Sequence, residues 1–392
     1  MRRRTGRAHA SCALASASIV MLALSGCAPS STQEISVRTV DLGIPDEDYS
    51  LEALIAAAQD EGPLVVSDTT GKIVDIAAAF EAEYGIPTTG TKLTGQEQVE
   101  IASREAQAGS VRTDVLLMTA SEAAVADLIP QEVVTSWMPP DLVDEVPAEF
   151  QEPLMVTQEP MLIAYNTEAS PDGCPIDNIW QLTDGPFSDR FVTPDPLLYA
   201  YQTSWYNQME ENHDAEVADA YADAYGEPLE TVEESATAEW VKRLAESKPL
   251  VTNDDDDSAA AVGAPGQENP FIGIMSAAKF RDNAEKGYAL AICSGLDPWA
   301  GLAYTKAGVI ATGTASPNAA KLFIRYMLTE AGIGPQVADG KISTNTTVPI
   351  PDDEPSGVAA VWDEILVFDS ASLESDYFRA QDWADFWRIH NR

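Results

Sequence analysis

Positive charge is what this 392-residue chain has least of. Lys and Arg together number 23 against 63 Asp and Glu, a formal net charge of −40. A phosphate backbone is gripped through a basic footprint, so this balance excludes nucleic acid as a partner. It equally excludes a surface held to anionic lipid by basic residues. Histidine is scarcer still, at 3, and the 4 Cys are too few for a disulfide scaffold of this size. Past the first 26 residues no apolar run is long enough to span a bilayer. No Gly-x-Ser-x-Gly elbow and no metal-binding pair of His occurs. What remains is ordinary for a globular protein, 45% hydrophobic residues over a length that suits one large domain or two to three smaller ones.

The N-terminus has the order of an export leader. Arg2, Arg3, Arg4 and Arg7 precede an apolar run over residues 11–24, which ends in Leu24-Ser25-Gly26-Cys27. That ending resembles the bacterial lipobox, in which the Cys is diacylated and becomes the first mature residue. An ordinary cleaved leader with a chance Cys is the alternative. Loss of residues 1–26 removes four of the 23 basic residues and none of the 63 acids, so 19 basic residues and a net charge of −44 remain. Residues 27–49 are polar and aperiodic and read as a flexible tether. The body is expected in the cell envelope, outside the cytoplasm, with the membrane as a partner through lipid on Cys27.

From residue 51 onward, short apolar runs alternate with helical patterns. Leu64-Val65-Val66-Ser67 and Asp114-Val115-Leu116-Leu117-Met118 read as buried parallel strands, and 72–84, 96–108 and 121–128 as helices. This alternation indicates an α/β fold with an open, largely parallel sheet. Residues 151–166, with Pro153 and Pro160, read as a long, interrupted extended segment. Strands are expected near 190–192, 271–275, 287–293 and 307–312, with helices over 203–210, 215–225 and 237–247. Ser316-Pro317 opens a further helix, with Ser316 as N-cap. Phe378, Trp383, Phe386 and Trp387 form an aromatic stripe that reads as core packing. Asn253-Asp254-Asp255-Asp256-Asp257-Ser258 lacks the Gly and Glu of an EF-hand loop and reads as a solvated loop capping a helix near Ser258.

The order of these features resembles the class II extracellular solute-binding proteins of ABC importers. It is closest to the branch with ferric-iron, thiamine, polyamine, phosphonate and hexose-phosphate binders. The matching pieces are Asp60-Glu61-Gly62 before the first strand, Tyr84-Gly85-Ile86, Asp114-Val115, and Ala164-Tyr165-Asn166-Thr167. Ile179-Trp180-Gln181-Leu182-Thr183-Asp184, Ser316-Pro317-Asn318-Ala319-Ala320-Lys321 and Met327-Leu328-Thr329-Glu330-Ala331-Gly332 complete the set. Each piece is common alone; their order over residues 50–350 is specific. The resemblance implies a two-lobe periplasmic-binding-protein-like fold of type II, closing on ligand like a trap. Lobe 1 maps to 50–155 plus 300–392 and lobe 2 to 165–290. Crossover segments fall at 153–166 and 287–299, with Gly295 and Gly301 flanking the second as hinge or turn residues.

Ligands in such sheets sit beyond the C-terminal ends of parallel strands. Ser67, Thr69, Thr70, Gly71 and Lys72 follow the first strand, where hydroxyls, free N–H groups and a helix N-terminus favour an anion. Asp68 opposes that charge unless it caps the helix, and the two Thr also suit capping. Thr119 and Ser121 hold the equivalent place after the Asp114 strand, Ser121 alternatively as N-cap. From lobe 2, Asp195, Tyr199, Tyr201 and Thr203 follow one strand and Ser276 another; core packing is the alternative for each Tyr. Trp299 stands between ligand platform and hinge packing. Cys174 and Cys293 lie in or near the crossovers, in an oxidising compartment, and are candidates for a disulfide.

The resemblance implies a monomeric, non-enzymatic capture protein with a small-molecule ligand and an ABC permease as partner, and no cofactor, metal site or catalytic group. An anionic organic solute such as a phosphorylated sugar or phosphonate fits the first loop. Ferric iron, a polyamine or thiamine are alternatives of the same fold. The iron branch uses a His in the first loop and adjacent Tyr pairs, and this chain has neither; only His213 and His390 follow the leader. A sensor presenting ligand to a signalling partner and an extracellular hydrolase are the remaining alternatives.

Overall fold

The computed structural model describes residues 42–392. The leader, Cys27 and most of the 27–49 segment lie outside the described residues. The strands in chain order are β1 Leu64–Asp68, β2 Thr88–Lys92, β3 Val115–Met118, β4 Val134–Ser136, β5 Met155–Asn166, β6 Phe191–Pro194, β7 Leu250–Thr252, β8 Ile272–Ser276, β9 Leu290–Ile292, β10 Gly301–Ala311, β11 Ile342–Ser343 and β12 Ile365–Val367. The helices are α1 Leu51–Gln59, α2 Ile73–Tyr84, α3 Gly95–Ala108, α4 Ser121–Ala123, α5 Ala200–Asn212, α6 Asp214–Tyr225, α7 Ala236–Glu246, α8 Asp255–Gly263, α9 Asp282–Glu285, α10 Pro317–Met327, α11 Glu330–Val337 and α12 Leu373–His390.

One sheet carries the order β2-β1-β3-β10-β5-β8-β6-β7. Its outer wings are parallel: β1 pairs with β2 and β3, and β6 with β7 and β8. The middle is antiparallel, where β10 meets β3 and β5, and β5 meets β8. The wings form as they do because runs such as Val-Leu-Leu-Met in β3 are apolar on both faces and are buried on both. Their helices are delimited locally. Thr94 and Glu97 make a reciprocal capping box at the start of α3, and Gly85 and Gly109 end α2 and α3 in left-handed conformation.

Two separate hydrophobic cores flank the antiparallel middle. One gathers Leu64, Val66, Phe80, Leu116 and Phe323; the other Trp180, Phe191, Trp205, Tyr206 and Trp240. β5 and β10 run from one to the other. Met155 and Val156 lie in the first core and Leu162 and Ile163 in the second; Ala307 and Val309 lie in the first and Leu302 and Ala303 in the second. Between those stretches both strands turn polar, with Glu159 and Lys306 buried. Gly301 permits a close approach of the two strands, since a Cβ there would lie 2.3 Å from the Met161 carbonyl oxygen. Cys174 and Cys293 are joined in a disulfide in the second half of the molecule.

Three local expectations need correction. β5 is continuous through Pro160. The Ile163 N–H donates to Ala300 on the β10 side, so by alternation the Pro160 nitrogen faces the other edge. There β11 pairs with residues 157–158 and β8 with 161–164, leaving no carbonyl that needs a donor from Pro160. Ser316 occupies the N-cap position of α10, but its side chain makes no capping bond. The carboxylate of Glu61 does so instead, accepting from the N–H groups of Asn318 at 3.0 Å and Ala319 at 2.8 Å. Phe378 is 63% exposed, whereas Trp383 and Trp387 are buried. At about 100° per residue Phe378 lies roughly 140° around the helix from Trp383 and half a turn from Trp387.

Candidate functional site

The C-terminal ends of β1, β2 and β8 open onto one cleft of about 430 Å³. Thr69, Thr70, Gly71 and Lys72 line it from the β1–α2 loop, Lys92 from the end of β2, and Ser276, Lys279 and Arg281 from the end of β8 and the turn after it. Glu159 and Tyr304 line its floor from β5 and β10. Asp255 comes from the first turn of α8, and Gln336, Asp339 and Lys341 from α11 and the loop behind it. Asp75 completes the wall. Five cations therefore meet four acids here, in a chain whose overall ratio is 23 to 63. A second cavity, of about 460 Å³, is lined by Trp137, Met138, Gln151, Asp46 and Glu152 but by no cation, and it lies beside the end of β4, away from the ends of the parallel wings. The cleft at the strand ends is where a strand-bordered fold presents ligand-facing groups, so it is the candidate site.

Beneath the cleft lies a buried charge network. Lys306 is fully buried, with its ammonium 3.0 Å from Asp68, 2.9 Å from Glu159 and 3.0 Å from the Gln336 side-chain oxygen. Burial opposes its charge, but the two carboxylates outweigh burial and raise its pKa. Burial likewise pushes Glu159 up, but Lys306 and Lys341 outweigh it and hold this carboxyl at about 2. Gln336 donates to Asp68 at 2.8 Å. Tyr201 stacks on Tyr304 with ring centres 4.7 Å apart, and burial pushes both phenols up, so they stay neutral. Burial also raises the Asp255 carboxyl, although Lys279 and Lys341 oppose the shift.

The cleft brings together Thr69, Thr70, Gly71, Lys72 and Ser276 among the residues expected from sequence. The loop differs from expectation in one respect. Its N–H groups at Thr69 and Thr70 are not free; they donate to the Asp68 carboxylate at 2.6 and 3.3 Å. The positive charge of the cleft comes from side-chain cations instead.

The other expected residues do not line the cleft. Ser67 is fully buried and accepts from Gln98 at 3.1 Å. Thr119 faces Gly95, and Ser121 donates to the Thr305 carbonyl at 3.1 Å. Asp195 accepts from the Leu197 N–H, Tyr199 donates to the Asn253 carbonyl, and Thr203 donates to the Ala200 carbonyl. Tyr201 stands behind Tyr304, and Trp299 packs edge-on to His213. The acidic run starts α8 earlier than expected, with Asp254 as N-cap, which is what carries Asp255 to the cleft.

Lys92, Glu159, Asp255, Lys279, Arg281, Tyr304, Lys306, Gln336, Asp339 and Lys341 are not among the residues expected from sequence. A signal existed for two of them: Glu159 and Lys306 are lone charges inside apolar strand sequences. Among the described residues, no group of three His, Cys, Asp or Glu side chains is arranged to hold a metal ion. No helix among them is long and apolar enough to cross a membrane.

The family described as bacterial extracellular solute-binding protein matches residues 64–340, which include every residue that lines the cleft except Lys341. This chain belongs to that family. Among curated proteins no sequence match is found. Solved structures share its fold. Iron-bound HitA from Pseudomonas aeruginosa superposes with a TM-score of 0.63 at 17% identity, over 84% of this chain and 100% of that one. An ABC-transporter substrate-binding protein from Agrobacterium tumefaciens gives 0.63 at 12% identity, over 86% and 97%. AfuA from Actinobacillus pleuropneumoniae, with fructose-6-phosphate bound, gives 0.58 at 17% identity, over 84% and 99%. The fold of this solute-binding protein is that of the type II periplasmic binding proteins.

Proposed function

We propose that this solute-binding protein captures an anionic organic solute, a phosphorylated sugar or a phosphonate, and hands it to the permease of an ABC importer. The observation that carries this reading is the gathering of Lys72, Lys92, Lys279, Arg281 and Lys341 around one cleft in so acidic a chain. Charge-assisted hydrogen bonds from such cations suit phosphoryl oxygens. Lys92, exposed at the rim, has no ion-pair partner among the described residues. AfuA, which shares the fold, holds a sugar phosphate. HitA holds iron, but a cluster of ammonium and guanidinium groups repels a metal cation.

Closure about the polar centre of β5 and β10 brings the two cores together over the solute, as two lobes. The protein works outside the cytoplasm, as a monomer, tethered by lipid on Cys27, and does no chemistry on its cargo. A thermal-shift panel of hexose phosphates, phosphonates, ferric citrate, thiamine and polyamines tests the reading. A cognate solute at a hundred times its dissociation constant stabilises by about 2.7 kcal/mol. Stabilisation by a phosphate ester or phosphonate, lost in Lys72→Ala, is expected. A response confined to ferric citrate or to polyamines overturns it.

A further inference from the structure

Asp339 sits where an anion would. One of its carboxylate oxygens lies 3.2 Å from the Lys72 ammonium and 3.2 Å from the Arg281 guanidinium. The two cations reach it from opposite walls. Lys72 belongs to the loop after β1, beside the first core, and Arg281 to the turn after β8, beside the second. A single oxygen held between two cations is the arrangement a phosphoryl oxygen adopts in a basic cleft.

The carboxylate makes no other side-chain contact with a polar group among the described residues, and it is 14% exposed. The loop that presents it is held independently. The N–H groups of Asp339, Gly340 and Lys341 all donate to backbone carbonyls of α11. Releasing the side chain therefore leaves only Lys72 without a carboxylate partner among the described residues, while Arg281 keeps Glu285 at 4.0 Å, and a solute would take over the freed contacts to both cations.

We propose that Asp339 is an internal competitor that sets the selectivity of the cleft, a proposal that rests on the anionic-solute reading. In the empty protein its carboxylate neutralises Lys72 and Arg281 and joins the two walls. An incoming anion exchanges with it. A singly charged anion brings no more charge than the carboxylate it displaces. A phosphoryl or phosphonyl group brings up to two charges and three acceptor oxygens, so it displaces the carboxylate with a net gain. The class of solute selected is thus a dianion rather than a simple carboxylate.

The test is titration calorimetry of the purified wild type, Asp339→Asn and Asp339→Ser with inorganic phosphate and a hexose 6-phosphate at 150 mM salt. Both variants are expected to bind at least tenfold tighter than the wild type, and to bind where the wild type's affinity is too weak to measure. Two variants are used so that a folding defect in one does not decide the matter. If the wild type binds and both folded variants bind equally or more weakly, Asp339 is a structural brace and the proposal fails alone. If neither wild type nor variants bind either anion, the anionic-solute reading falls and this proposal falls with it.

Discussion

Replacing Lys306 by Met removes the one cation shared by Asp68 and Glu159 at the floor of the cleft. In the wild type that ammonium is fully buried, 3.0 Å from one carboxylate and 2.9 Å from the other. Breaking a buried pair by removing one partner costs about 3–5 kcal/mol, because a charge is left without compensation. Partial compensation survives here. Asp68 keeps the Gln336 amide and two backbone N–H groups, and Glu159 keeps Lys341. The expected loss at pH 7 is therefore at the low end, about 3 kcal/mol.

The pH dependence has a definite sign. Glu159 is held at about 2, below its ordinary value of 4.5. Its stabilisation is present above about pH 4.5 and lost as pH falls through about 2. In Lys306→Met its pKa climbs, so the penalty should shrink between pH 7 and pH 4. Urea denaturation of both proteins at these two values is the assay. The triple variant Lys306→Met, Asp68→Asn, Glu159→Gln should recover much of the loss, since a neutral network leaves no buried charge. A loss below about 1 kcal/mol at pH 7 in the single variant, or a penalty that grows toward pH 4, would show that Lys306 does not compensate these two carboxylates.

Two further outcomes follow from other parts of the fold. Asp376 on α12 is fully buried, accepts from Asn207 and Gln208 at 2.8 Å each, and is pushed up to about 7 by burial. Glu122 on α4 is also raised to about 7, again mainly by burial. Each carboxyl gains a proton on folding, so stability is fully present below about pH 4 and is lost as pH rises through 7, by about 1.4 kcal/mol per unit for each group. Asp376→Asn should remove roughly half of that slope in denaturation curves between pH 5 and 7. Replacing Cys174 and Cys293 together by Ser opens a covalent loop with a sequence separation of 119 and should cost about 2–4 kcal/mol, read as a lower midpoint in urea.

Much of the architecture was legible because local signals agree with the tertiary outcome. The run Leu64-Val65-Val66 is apolar on both faces and takes a central place in a parallel wing. α2 has Ile73, Ile76, Ala77 and Phe80 at helical spacing and buries all four. The β1–α2 loop was legible as part of the cleft wall because strand-end position alone implies it. Asp339 and Lys341 were not. They reach the cleft from a loop far along the chain; nearby Gln336 bonds Asp68 across 268 residues, and no local pattern encodes that return. The hydroxyls of Thr119, Ser121 and Thr203 were misread for the opposite reason. Their strand-end and helix-start positions are right for ligand, but nearby groups already use or crowd them. The role of Asp68 was set by burial, which turned an apparent obstacle to anions into the acceptor for its own loop.

The proposed capture of an anionic solute rests on the cations of this cleft. Titration calorimetry of the wild type and Arg281→Gln with hexose 6-phosphates and alkylphosphonates, at 50 and 300 mM salt, tests it most directly. Saturable one-site binding by at least one of them is expected, weaker at the higher salt and at least tenfold weaker in Arg281→Gln. Binding with no salt dependence and no loss in Arg281→Gln, or high-affinity binding of ferric iron with no response to either class of anion, would contradict it.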